Sequence, residues 1–295
     1  MASDENSFKQ DRLIEDHLRS GLYIVSTPIG NLGDLSSRAL KTLKQADLIA
    51  CEDTRVTAKL LTAYGVKSRL IAYHEHNGDL QRPKIMDAMD RGEIVALVSD
   101  AGTPLISDPG YKLVHEAQEE GYYVTACPGP SAMIMALTLS GMPTDRFLFA
   151  GFPPNKSGAR QSFYESVKDN QATLVFYESA RRLTESLKDA EQILGSRQAA
   201  VCRELTKKFE EVKRGPLNEL IAYYEEVGNP KGEVVLVIDR AAAQSKAEQI
   251  GLDSETLLTK ALTYLSVKDA SAFVASLTGE KKKDLYKKAL EMKDR

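Results

Sequence analysis

Short apolar runs at 22–26, 48–51, 70–73, 94–98 and 123–127 are separated by stretches with apolar residues at helical spacing, as from Leu35 to Ala46. Runs of four or five such residues have the length of buried strands, and their alternation with helical segments predicts a mostly parallel sheet covered by helices. After Gly141-Met142-Pro143 the pattern resumes at 146–150, 172–177, 199–202 and 233–238, which predicts a second α/β domain of fewer, longer units. The domains are expected to meet between Pro128 and Pro143, with a cleft beside that point. From Ala241 the chain becomes Ala- and Lys-rich, with Leu257, Leu258, Ala261, Leu262 and Leu265, then Leu285, Ala289 and Leu290, at helical spacing. The expected organisation is an N-terminal extension at 1–20, α/β domains at 21–135 and 136–240, and a basic helical tail at 241–295.

Three Gly/Pro-rich loops each leave a strand and enter a helix: Ser26 to Asp34, Ser99 to Gly110 and Cys127 to Ser131. In open α/β sheets ligands bind at the carboxyl ends of strands, so these loops should converge on one crevice. Asp100, at a strand end, is the expected ligand contact of the second loop, and Asp108 the cap of the helix that follows. Charged clusters also begin where apolar runs stop, at Cys51-Glu52-Asp53-Thr54-Arg55, Tyr177-Glu178-Ser179-Ala180-Arg181-Arg182 and Arg203-Glu204-Leu205-Thr206-Lys207-Lys208. A helix cap with a surface ion pair explains any one of them. Three on one edge point instead to a site.

At 295 residues the chain is long enough for two domains, and its net charge of −3 argues against binding nucleic acid through bulk positive potential. Basic residues outnumber acidic ones in 151–214 and 241–295, which suits local phosphate contacts; the run Lys281 to Lys288 reads either as a solvated helix or as an RNA contact. Cys51, Cys127 and Cys202 lie far apart in apolar surroundings, as reduced core thiols do. The polar start lacks the pattern of a signal peptide, and no apolar run approaches the roughly 20 residues that span a bilayer. A soluble cytoplasmic protein is expected. There is neither a dinucleotide-binding glycine pattern nor a phosphate loop. His74-Glu75-His76 could pair two imidazoles on one face, but without further ligands in pattern no metal is assigned.

Eight motifs in order carry a resemblance: Pro28 to Asp34 (PIGNLGD), 51–55 (CEDTR), 73–77 (YHEHN), 99–110 (SDAGTPLISDPG), 128–132 (PGPSA), 176–179 (FYES), 203–211 (RELTKKFEE) and 232–238 (GEVVLVI). From about Gly21 to the C-terminus the chain resembles the small-subunit rRNA methyltransferase I family, of the tetrapyrrole methylase fold. The resemblance implies S-adenosylmethionine-dependent 2′-O-methylation of a cytidine ribose in the decoding region of 16S rRNA, on naked rRNA or the 30S subunit, by a homodimer. It implies cofactor contacts at Pro28, Asp100, Ala101, Gly102, Thr103, Ile106, Ser131, Ala132 and Tyr177. Glu52, with Asp53 beside it, falls where relatives carry an acidic residue suspected of base chemistry. Arg55, Arg182, Arg203 and Lys207 are expected to hold phosphates, and His74, His76, Glu204 and Lys207 to orient the ribose or supply the base. One departure stands out: Ala180-Arg181-Arg182 replaces the usual Pro-His-Arg, so no histidine base is available there. Methylation of a tetrapyrrole or another small acceptor, or non-catalytic RNA binding in ribosome assembly, remain alternatives.

Overall fold

The computed structural model describes residues 17–241 and 253–293; the first sixteen residues of the expected N-terminal extension lie outside them. Of the described residues, one compact unit takes in those up to Tyr164 together with Thr173–Asp239, and a second takes in Glu165–Ala172 with those from Arg240 onward.

The first sheet is built from β1 (Gly21–Val25), β2 (Leu48–Cys51), β3 (Arg69–Ala72), β4 (Ile94–Val98) and β5 (Val124–Cys127), in the order β3-β2-β4-β1-β5. All its pairings are parallel. The intervening helices are α1 (Ser37–Gln45), α2 (Thr54–Ala63), α3 (Gly78–Asp90) and α4 (Tyr111–Glu119). Successive strand residues face opposite sides, so each strand feeds two cores. Leu48, Ala50, Val95 and Leu97 pack with Ile85 and Leu113 on one face. Ile49, Cys51, Ala96 and Val98 pack with Leu43 and Leu61 on the other. Burial on both faces is why these strands read as continuous apolar runs.

After α5 (Ala132–Ser140) come β6 (Phe147–Phe149), α6 (Ser157–Val167), β7 (Thr173–Ser179), α7 (Leu183–Leu194), β8 (Gln198–Arg203), β9 (Glu211–Pro216), α8 (Leu217–Val227) and β10 (Glu233–Ile238). Their sheet runs β6-β7-β10-β8-β9 and is mixed. Only β6 and β7 pair in parallel; β10 is antiparallel to both β7 and β8, and β9 is antiparallel to β8. Strand β9 is absent from the apolar pattern because an edge strand such as Glu-Val-Lys-Arg-Gly-Pro is only half-buried. Helix α5 packs Ala136 and Leu137 against Val175, Ala200, Cys202, Val235 and Val237 of this second sheet. The boundary expected between 135 and 136 thus falls inside α5. On the sheet's other face Tyr164 meets Phe176 edge-on at 5.5 Å, and its hydroxyl bonds Ser186 Oγ at 2.7 Å. Nearby, the buried Asp189 carboxylate accepts from Arg160 Nε at 2.6 Å, Ser157 Oγ at 2.8 Å and Gln161 Nε2 at 2.8 Å.

The second unit contains α9 (Ser254–Leu262), α10 (Val267–Thr278) and α11 (Lys282–Lys293). Leu257, Leu258, Ala261, Ala270, Val274, Leu285 and Ala289 form its core, with the spacing read from the sequence. Ser266 Oγ caps α10 by accepting from Asp269 N at 3.2 Å, and Gly279 ends it in the left-handed conformation. Among the described residues no helix is long and apolar enough to cross a membrane.

Candidate functional site

The three Gly/Pro loops are tied to one another. Thr27 and Gly102 exchange backbone hydrogen bonds, N to O at 2.9 Å and 3.0 Å, joining the loops that leave β1 and β4. Gly102 sits at φ +84°, where an L side chain is strained, and a Cβ there would lie 3.4 Å from Ile29 Cγ2. The Thr103 hydroxyl donates to Pro130 O at 3.1 Å, so its one proton is committed and Ser26 Oγ must be the donor in their 2.9 Å contact. One hydroxyl thereby pins all three loops. Leu105 and Ser107 also hold positive φ, 74° and 63°, each at a cost of about 1–3 kcal/mol that the surrounding packing must offset.

These loops floor a cleft of about 990 Å³. Ala101, Gly102, Thr103, Ile106, Ser131 and Ala132 line it on one side, and Tyr177 on the other. The expected contact Pro28 does not reach the lining; its neighbour Ile29 does. The far wall comes from the carboxyl end of β7 and the turn after it, Glu178 to Arg181, and from the loop before β10 with that strand's first residues, Asn229 to Val235. Because β10 runs against β7 and β8, its amino end lies beside their carboxyl ends, with Glu233 opposite Ser179 and Val234 opposite Arg203. The Tyr177 ring is held edge-on by Phe149 at 4.8 Å and Phe152 at 5.4 Å, and burial raises the pKa of its hydroxyl.

Neither aspartate of the second loop stands where the sequence placed it. Asp108 does not cap α4, whose N-cap is Gly110 without a side-chain bond; it lines the cleft, and burial raises its carboxyl. Asp100 lies instead in a shallower hollow of about 470 Å³ with Glu52, Asp53, Arg55, His74 and His76. Burial pushes the Glu52 carboxyl up, and Asp100, Asp108 and Asp53 push it further. Asp100 lines the hollow and the next residue, Ala101, lines the cleft, so the two adjoin at the end of β4.

Asp53 is committed elsewhere. Its Oδ1 accepts from Arg55 N at 2.8 Å as the N-cap of α2, and the exposed Arg55 guanidinium pairs with it at 2.6 Å. Arg55 thereby holds the Asp53 carboxyl down at about 2, which makes it a weak base. Its backbone N–H donates to Asp100 Oδ1 at 3.1 Å. The rings of His74 and His76 lie 6.1 Å apart, and His74 Nδ1 is buried without a protein partner.

Arg182, expected on phosphate, is instead held by Glu178 at 2.7 Å and by Asn155, while Arg181 lines the cleft. Arg203 donates to Lys231 O at 2.8 Å and so fixes the loop before β10. Glu204 accepts from Lys207 Nζ and from Glu233 N, both at 2.9 Å, and Lys207 Nζ also reaches Glu233 at 2.8 Å. The Glu233 backbone bond, with Lys207, keeps the Glu204 carboxyl below its ordinary range. These three residues are a clamp across the carboxyl end of β8. The Glu178 carboxylate points to the sheet's other face with Phe176; it is fully buried there, with Oε1 on Arg182 and Oε2 accepting nothing from the protein. A partly apolar cleft near the upper size of ligand pockets, about 1,000 Å³, with the half-buried Asp108 carboxylate in its lining fits a sulfonium-bearing nucleoside better than a polyphosphate.

A family model described as tetrapyrrole (corrin/porphyrin) methylases matches residues 21–221, and one described as the RsmI C-terminal HTH domain matches residues 248–293. The chain is 49% identical over 278 residues to the ribosomal RNA small subunit methyltransferase I of Mesorhizobium japonicum, covering 94% of both chains. It is 45% identical to the protein of that name from Escherichia coli O157:H7, covering 94% of this chain and 96% of the relative. Among solved structures, the uroporphyrin-III-C-methyltransferase from Thermus thermophilus is similar in fold, with a TM-score of 0.53 at 17% identity, covering 80% of this chain and 100% of that one.

Proposed function

This chain belongs to the ribosomal RNA small subunit methyltransferase I family of the tetrapyrrole methylases, and from that premise we propose that it methylates the 2′-oxygen of a cytidine ribose in the decoding region of 16S rRNA, using S-adenosylmethionine. The observation that carries the reading is the meeting of two hollows at Asp100 and Ala101: a large, partly apolar cleft on one side and, on the other, an open hollow lined by Glu52, other acids and imidazoles. When bound in the cleft, S-adenosylmethionine supplies an electrophilic methyl group. Ala101, Gly102, Thr103, Ile106, Ser131, Ala132 and Tyr177 would hold it, with Asp108 as a carboxylate acceptor for its hydroxyl or cationic groups. Orientation of this kind lowers a bimolecular barrier by roughly 7–11 kcal/mol.

Glu52 would take the proton of the ribose hydroxyl as its oxygen gains the methyl group and the carbon–sulfur bond of the bound donor breaks, the thioether leaving. Its raised pKa brings it closer to the working pH, where general-base assistance of about 10²–10⁴-fold is realised. His74 and His76 face the same hollow and would orient the ribose, and Arg55 at its rim would meet a phosphate. The second unit supports an RNA substrate, since α11 exposes Lys282, Lys283, Lys287 and Lys288. Transfer of labelled methyl from S-adenosylmethionine to under-methylated small ribosomal subunits, followed by mapping of the modified ribose, tests the proposal. Label on a cytidine 2′-oxygen of the decoding region is the expected result; label only on a tetrapyrrole acceptor, or none without cofactor binding, overturns it.

A further inference from the structure

Between β8 and β9 the chain makes a tight turn over 204–210 that leaves one aromatic ring in solvent. Phe209 is 62% exposed, and no neighbouring apolar side chain of the turn joins it in a patch: Lys207, Lys208 and Glu210 surround it in sequence. Lys208 Nζ stands 5.6 Å from its ring centroid. The turn itself is firmly held. Leu205 is buried in the core that also contains Ile29, Thr206 N donates to Glu210 at 2.6 Å, and Glu210 N donates to Lys207 O at 3.1 Å. Glu204 and Thr206 both hold positive φ, 48° and 67°, which only an over-determined turn maintains in residues other than glycine.

This turn stands at the mouth of the cleft. Lys207 is bonded to Glu233 of the cleft wall, and its stem crosses Gly30 of the first loop so closely that a Cβ there would lie 2.3 Å from Lys207 Cγ. A lone, rigidly presented aromatic face with an ammonium beside it suits a polyanion with flat, unpaired bases; it does not suit an apolar protein surface. Resting on the RNA-methylating reading above, we propose that Phe209 stacks on an unpaired nucleotide of the RNA, seating the strand at the cleft while Lys208 faces its backbone.

The test is steady-state methyl transfer to under-methylated small ribosomal subunits, with F209A, F209L, F209Y and F209W beside the unaltered protein. Base–aromatic stacking predicts about a tenfold rise in KM for F209A and F209L with kcat within about twofold, and restoration by tyrosine or tryptophan. The chain has no tryptophan, so F209W carries a single indole whose fluorescence should be quenched on adding subunits. Calorimetry with S-adenosylmethionine should give the same Kd for every variant, which shows that the cleft is intact. An unchanged KM in F209A, or F209L acting like F209W, would overturn stacking; so would a change of oligomeric state in F209A with RNA affinity preserved. If the unaltered protein is inert on subunits the proposed function itself falls and takes this inference with it, whereas an active protein with an indifferent Phe209 sinks the inference alone.

Discussion

Replacing Thr103 by valine keeps the outline of the side chain and removes the hydroxyl that ties the loops after β1, β4 and β5. In the native arrangement Ser26 Oγ donates to Thr103 Oγ1 at 2.9 Å, and Thr103 donates to Pro130 O at 3.1 Å. The substitution leaves two groups without partners, and each partly buried orphan costs about 1 kcal/mol, so T103V should lose about 2 kcal/mol. For a folded unit of this size that corresponds to a fall in Tm of about 4–8 °C. S26A alone removes one bond but leaves the Thr103 proton on Pro130, at about 0.5–1 kcal/mol. With Ser26 already gone T103V orphans only Pro130 O, so the double variant should fall short of the sum by about 1 kcal/mol. T103S, which keeps the hydroxyl, should stay within about 1 kcal/mol of the parent. Because the same hydroxyl positions the cleft floor, the Kd for S-adenosylmethionine should rise in T103V, by at most the roughly 30-fold that 2 kcal/mol carries. Denaturant unfolding of the four variants, with calorimetry, measures all of this. Additive single effects, or a T103S that melts with T103V, would refute the pinned-hub account.

Glu52→Gln should lower kcat by about 10²–10⁴ while sparing cofactor Kd. Burial, then Asp100, Asp108 and Asp53, raise the Glu52 carboxyl, so activity should fall as pH drops through a value above the ordinary carboxylate range, and E52Q should lose that limb of the profile. The same raised pKa makes ionised Glu52 destabilising: its favourable contribution is present below the unfolded pKa and lost as pH rises, so E52Q should be at least as stable as the parent at neutral pH. Asp189→Ala should cost about 3–5 kcal/mol in unfolding measurements, since it strands the buried Arg160. Burial tends to raise the Asp189 carboxyl, but the bonds from Gln161, Ser157 and Arg160 prevail and lower it, so its stabilisation should persist above the unfolded pKa and vanish as acid passes the lower folded one.

The first sheet was legible because its central strands are apolar on both faces and its loops are rich in Gly and Pro. The second was half legible. Strand β9 hides in an alternation of Val, Lys and Arg, and nothing in β10's composition announces that it runs antiparallel. That reversal is also why Asn229 to Lys231 escaped notice and Gly232 to Val235 were read as strand and not as cleft wall: Asn-Pro-Lys-Gly reads as a loop, but at the amino end of a strand, which a parallel sheet would place on the far edge. Single residues were misassigned where identity gives type and not direction. Asp100 and Asp108 are both acceptors in one loop, and only the path of the chain through the left-handed residues Leu105 and Ser107, not legible in the sequence, separates the hollow of the first from the cleft of the second. Arg182 and Arg181 are neighbours in sequence, and the buried Glu178 claims the former.

The lining of the cleft runs from Ile29 to Val235, and its floor is pinned between residues as distant as Ser26 and Pro130. A chain growing from its N-terminus can therefore close the floor once β5 and the third loop have emerged, yet it lacks one wall until β10 is made. A nascent chain halted before residue 233 would present half a pocket to solvent. Retention of a ligand in the cleft is thus a property of chains grown past β10, and its binding would report that both walls have been made.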